Sequence, residues 1–438
     1  MKVGKRYALT DVSVIDGNGG KPVNNQAVII NDGYIEKVCP ADELNDDPIE
    51  KISLPGKYVM PGLIDSHVHT LGITDLKYWG QIEYSAALTY SYSQALRMLK
   101  YGFTSVRDIS ENGVYLKRAF NMPGVTGPRI VACGRGLNRT GGHADVTLYN
   151  ELDFEEKNNM VAYRADGADE CRKAVRRILR TGADQIKFWA TGGGNNFIDR
   201  YTDIHYSEEE IRAICEEAKL IEGTKVLVHC ENPELSKICI EAGVDSIEHC
   251  TGYAPFLCDL MKEKDVYLVP TMRLLTKWVE DVVTGDFEAF LNETIPKFFQ
   301  RDFLIPSAVS KEEQDQAEVE EVKAAFRHAV ENGIKIGLGS DTCFEKLMPY
   351  GWYGVLEMES MQECGMSPEQ VICSATKINS EILGLENALG TVEEGKLADL
   401  LVINQDPTED VRVFQNDDII EYIFMGGELV VDHGRMIL

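Results

Sequence analysis

A chain of 438 residues, 44% hydrophobic and 26% charged, is long enough to bury a large core and too apolar to be disordered or fibrous. Its 71 acidic residues against 44 basic ones leave a net charge of −27, a field that repels nucleic-acid phosphates and anionic membrane surfaces, so neither is expected as a partner. Lys2, Lys5 and Arg6 are followed by no signal-peptide core, no run spans a bilayer, and the eleven cysteines form no CxxC pair. The expectation is a cytoplasmic protein with reduced, mostly buried thiols.

From Tyr7 to Val59 short β-like runs alternate with turn residues: Tyr7–Thr10, Ala27–Ile30, then Asn31-Asp32-Gly33 as a hairpin turn. Residues 391–438 read the same way, with Asp399–Ile403, Ile419–Phe424, a Gly426-Gly427 turn and Glu428–Val431. Two β-rich ends around an alternating centre predict a small β-sandwich domain built from 1–60 and 391–438, flanking an α/β body over 61–390. That body holds eight candidate strands in chain order: Gly62–Val68, Thr104–Arg107, Arg129–Cys133, Gln185–Trp189, Lys225–Val228, Asp245–Glu248, Val266–Pro270 and Lys335–Leu338. Eight strands alternating with helices close a (β/α)8 TIM-like barrel. The longer intervals, after the third strand and over Leu274–Arg327, are expected to build the catalytic face.

Four of the eight histidines fall at the C-terminal ends of these strands, where such barrels keep their active sites. His67 and His69 lie two apart, so strand alternation puts both imidazoles on one face. His229 and His249 each close a strand of their own, and Asp341 follows the eighth. Together they form a His/His/His/His/Asp metal set. Cys230 and Cys250 are expected to point away from the axis as packing, and Asp108 to pair with Arg107 or to support a ligand.

Lys187 sits mid-strand among apolar neighbours, where an ammonium is costly unless neutralised or paired. Carbamylation by CO2 would turn it into a bridging carboxylate; an ion pair with a substrate carboxylate is the alternative. Gly192-Gly193-Gly194 lacks the GxxxxGK[ST] pattern and is not read as a phosphate loop.

Pro61–His69, Lys187, His229, His249, Asp341 and Leu389-Gly390-Thr391-Val392-Glu393-Glu394-Gly395-Lys396-Leu397-Ala398-Asp399-Leu400 occur in the order seen in the amidohydrolase superfamily, which the whole chain resembles. The resemblance implies a site of two divalent ions, usually zinc, bridged by carbamylated Lys187. His67, His69 and Asp341 would hold one ion, and His229 and His249 the other. It also implies a metal-bridging hydroxide with Asp341 as general acid and base, and assembly into a homo-oligomer.

Thr140-Gly141-Gly142-His143-Ala144-Asp145 resembles a loop motif of prolidase-like and arginine-carboxypeptidase-like members, in which the histidine holds the substrate carbonyl. His143 is read in that catalytic, substrate-binding role, with turn capping as the alternative; His205 is a second contact candidate or a plain surface residue. Where the resembling peptidases commonly carry a tyrosine two residues after the fifth-strand histidine, this chain has Glu231, an anion that favours substrates with a neutral or basic group. The function expected is hydrolysis of an amide bond in a small N-acyl amino acid or dipeptide. The alternatives are ring opening of a cyclic amide or lactone, as by an imidazolonepropionase-like enzyme, and a non-catalytic barrel scaffold. Arg139 and Arg200 are offered by the catalytic-face loops as clamps for a substrate carboxylate.

Overall fold

The computed structural model describes residues 5–44, 48–74, 82–145, 160–193, 200–282 and 311–437. Strand β1 (Arg6–Val14) pairs antiparallel with β2 (Val23–Asn31), which turns at Asp32-Gly33 into β3 (Tyr34–Pro40). Both turn residues hold positive φ, +47° and +89°, a backbone that Asp and Gly tolerate. Beside β1 run β4 (Glu50–Ser53) and β5 (Tyr58–Pro61), both parallel to it.

The body begins with a parallel three-stranded sheet of β6 (Leu63–Val68), β7 (Phe103–Asp108) and β8 (Arg129–Ala132). A parallel six-stranded sheet follows, made from β9 (Gly136–Asn138), β10 (Ala162–Arg164), β11 (Gln185–Trp189), β12 (Lys225–His229), β13 (Ser246–Glu248) and β14 (Tyr267–Val269), in the order β10-β9-β11-β12-β13-β14. Helices such as Glu111–Phe120, Glu208–Lys219 and Pro233–Ala242 alternate with the strands, and their first turns fix the loops at the strand ends. The Ser110 hydroxyl accepts from Gly113 N, Ser207 and Glu210 form a capping box, and Asn232 caps a helix that opens on Pro233.

Two expectations need correction. The chain after Arg129–Ala132 forms two further short strands, β9 and β10, where one long loop was expected. Lys335–Leu338 is not a strand; single bridges, Leu268 to Ile336 and Val68 to Thr342, stand in its place. Its peptide groups are divided between two neighbours: Gly337 N donates to Leu268 O at 2.9 Å, and Ser66 N donates to Leu338 O at 3.0 Å. Glycines permit the close passage, since a Cβ on Gly339 would lie 2.3 Å from Val269 and 2.8 Å from the Cβ of His67. In the Leu274–Arg327 interval, helices Met272–Val282 and Lys311–Glu331 are described, and 283–310 lie outside the described residues.

The chain then returns through β15 (Leu400–Ile403), β16 (Ile420–Met425), β17 (Glu428–Asp432) and β18 (Arg435–Met436). Strand β15 pairs antiparallel with β5, so both ends of the chain share one nine-stranded sheet. Tyr7, Leu9, Val28, Val59, Val402 and Phe424 belong to its own apolar cluster. Arg129 at the start of β8 donates to both carboxylate oxygens of Asp399, at 2.6 and 3.0 Å, tying this sheet to the body. All eleven cysteines are free thiols, nine of them buried. Among the described residues no helix is long and apolar enough to cross a membrane.

Candidate metal centre

Strand β6 delivers His67 and His69 side by side, with ring centroids 5.3 Å apart. Asp341 reaches them from the glycine-rich segment, where its own φ of +58° turns the carboxylate inward. Its Oδ1 lies 3.0 Å from His69 Nε2 and 3.4 Å from His67 Nε2. The ligand atoms of these three residues all fall within 4.8 Å of one another.

The outer nitrogens of both rings are already committed. His67 Nδ1 donates to Glu248 Oε2 at 2.7 Å, and His69 Nδ1 donates to Ile109 O at 2.8 Å. With Nδ1 committed, each ring turns its Nε2 towards the Asp341 carboxylate, His69 within hydrogen-bond distance. Burial pushes His67 well below its ordinary pKa, which favours the neutral ring. Burial alone would raise Asp341, but His67, His69 and His249 outweigh it and hold it below the usual carboxylate range. Two imidazoles and a carboxylate converging on one point fit a divalent cation.

The second group stands beside the first. His249 packs 5.4 Å from His67 and in a T-shaped pair at 4.4 Å with His229, and His229 stacks at 4.6 Å on His143. His249 Nδ1 shares a hydrogen bond of 2.8 Å with Thr271 Oγ1, and His229 Nε2 approaches Gly192 O at 3.2 Å. Burial lowers both, His249 to about 4. Lys187 is fully buried on β11, and its Nζ has no hydrogen-bond partner. Burial lowers its pKa to about 8, and its charge acts on His67, His229 and His249.

The remaining candidates are spread around this pair of groups. Gly193 has no side chain where the His143 ring packs, since a Cβ there would come within 2.4 Å of it. His205 is buried rather than on the surface, against Gly142 of the His143 loop. The Glu231 carboxylate lies 3.6 Å from His229 Nε2 and accepts from Thr251 Oγ1 at 3.1 Å. Arg200 is exposed, whereas the Nε of Arg139 is buried and its charge bears on Tyr206. Cys230 and Cys250 pack in the main core. Gly194 lies outside the described residues.

Asp108 does not pair with Arg107, because neighbours on a strand face opposite ways. Asp108 accepts instead from Thr70 and from Ser110 Oγ at 2.6 Å. Arg107 donates to Glu248 Oε1 at 2.8 Å and reaches Ser246 and Gln185, all buried. Glu248 thus bridges an arginine and a site histidine, a role that sequence reasoning missed. The available clue was an acidic residue inside a run expected to be a buried strand.

Residues 58–430 match the amidohydrolase family, and residues 6–59 match the NagA composite domain. The chain belongs to the amidohydrolase family, and its activity is that of a hydrolase acting on carbon–nitrogen bonds. The ochratoxinase of Aspergillus niger is 28% identical over 433 residues, covering 94% of this chain and 84% of that protein. The imidazolonepropionase of Thermoplasma volcanium is 22% identical over 437 residues, covering 94% and 92%. A solved Xaa-Pro dipeptidase with methionine bound in its active site is similar at a TM-score of 0.82 and 28% identity, over 97% of this chain and 99% of that one.

Proposed function

We propose that this chain is a two-metal amidohydrolase that cleaves the amide bond of a small N-acyl amino acid or dipeptide. Its body over 61–390 is read as a (β/α)8 barrel, with 1–60 and 391–438 as the flanking β domain. Backbone hydrogen bonds from the Lys335–Thr342 segment to both Leu268 and β6 support closure.

The observation that carries the reading is Lys187, a fully buried amine without a hydrogen-bond partner beside the His67, His69 and Asp341 cluster. A neutral amine there would add CO2, forming an N–C bond and releasing one proton, and the resulting carbamate would replace a costly ammonium with an anion able to ligate metal. His67, His69 and Asp341 would hold one ion, His229 and His249 the other, and zinc suits imidazole and carboxylate donors. When bound, the two ions supply charge that acidifies a water and polarises the amide carbonyl.

The chain's own groups do the rest. Asp341 takes a proton from the attacking water and passes it to the leaving amine, breaking the C–N bond. His143, stacked on His229, donates to the carbonyl oxygen as charge develops there. The Glu231 anion beside His229 favours substrates with a basic group over acidic ones. Eleven free thiols accord with a reducing, cytoplasmic setting.

The test is a hydrolysis screen of zinc-loaded protein against matched basic and acidic dipeptides, N-acyl amino acids, lactones and cyclic ureides. The reading expects cleavage of linear amides, faster for basic ones, with the basic-to-acidic ratio narrowed in Glu231→Gln. Turnover of cyclic substrates alone would replace it with the ring-opening reading.

A further inference from the structure

Glu357 lies on the helix Trp352–Glu363, is fully buried, and takes no part in the chemistry above. Its carboxylate closes on the start of the helix Met272–Val282: Oε1 accepts from Met272 N at 2.8 Å and Oε2 from Arg273 N at 2.6 Å. These are amides that a helix leaves without partners of its own, at the end where its dipole favours an anion. The residue just before them is Thr271, fully buried, with φ +48°. A β-branched residue in that region is a genuine outlier and persists only when its surroundings hold it there. The strain places Thr271 Oγ1 at 2.8 Å from His249 Nδ1, and His249 itself sits at φ +77°.

We propose that Glu357 is a positioning residue for the second ion: by clamping the amides of Met272 and Arg273 it holds Thr271 in its left-handed conformation, and the Thr271 hydroxyl fixes the ring of His249. The inference rests on the reading of His249 as a metal ligand. A partner on the far nitrogen sets which imidazole nitrogen faces the ion, and losing such a partner costs about 10–100-fold in affinity. Among the described residues no hydrogen bond joins Glu357 to a metal-binding residue; it is tied to His249 through the backbone of residues 271–273, while its charge also bears on Asp65, which accepts from His67 N.

The test uses the full-length, zinc-loaded protein and its Co(II)-substituted form. Ion retention is measured under graded chelator, with the visible spectrum of the cobalt form and hydrogen exchange of the Met272 and Arg273 amides. In Thr271→Val, which keeps the shape and loses the hydroxyl, one of the two ions should be released at about 10–100-fold lower chelator concentration, with a changed cobalt spectrum. Thr271→Ser should restore both. Glu357→Gln should speed exchange of the two amides and weaken the same ion, leaving the other in place. Unchanged retention in Thr271→Val, or in Glu357→Gln despite faster exchange, overturns the proposal, as does equal loss of both ions in Glu357→Gln. Wild-type protein that takes up one ion at most fails before any variant is compared, and overturns the two-ion reading together with this one.

Discussion

His67, His69 and Asp341 meet through donor atoms, whereas His143, His229 and His249 meet ring against ring. In the first group both outer nitrogens are spent on fixed acceptors and both inner ones face a carboxylate. In the second, His229 Nε2 turns to Gly192 O, and His249 depends on the strained Thr271 for its orientation. Each of these rings keeps one nitrogen for a cation, but the first group adds the Asp341 carboxylate, whereas the second relies on a strained residue to aim one of its rings. The two ions should therefore differ in affinity, with the His67 side the tighter.

The largest effect that separates the two groups is on chemistry at Asp341. Asp341→Asn keeps an oxygen ligand and removes the proton acceptor, so kcat should fall by about 10²–10⁴ while KM changes much less. Steady-state kinetics on the substrate found by the screen decide it, and a normal kcat would move proton transfer elsewhere.

Acid should strike both groups, the second through His249. Burial lowers His249 from 6.5 to about 4, so between those pH values the unfolded chain binds a proton that the folded one refuses. The stability tied to a neutral His249 is present above pH 6.5 and is lost as pH falls towards 4, on the order of 3 kcal/mol at about 1.4 kcal/mol per unit. Urea unfolding of the metal-free protein should show that slope, flattened in His249→Gln. A slope unchanged by the substitution would mean that His249 is not buried as a neutral ring.

A smaller effect sharpens the account of the first group. Glu248→Gln keeps an acceptor for His67 but loses the charge shared with Arg107, and should weaken the tighter ion by about 10–100-fold under chelator competition. Equal weakening of both ions would make Glu248 a general support of the fold.

What could be read from the chain and what could not divide along a physical line. His67 and His69 were legible because a period of two is local. Seven of the eight expected strands were legible as apolar runs bounded by turn residues. The eighth was not, because Gly337 and Gly339 let the segment share its hydrogen bonds between two neighbours instead of one ladder. The Arg107–Glu248–His67 chain joins β7, β13 and β6, and no local pattern specifies which buried charges meet across an interior. The positive φ values of Thr271, His249 and Asp341 were hidden for the same reason, since tertiary contacts hold what propensity opposes.

The central claim is that one modified lysine joins the two groups into a single site, and metal content tests it most directly. Elemental analysis of purified, zinc-loaded protein should find about two ions per chain in the wild type and fewer than one in Lys187→Ala, with partial recovery when a small carboxylate such as acetate is supplied at high concentration. Two ions retained by Lys187→Ala without added carboxylate would show that Lys187 bridges nothing.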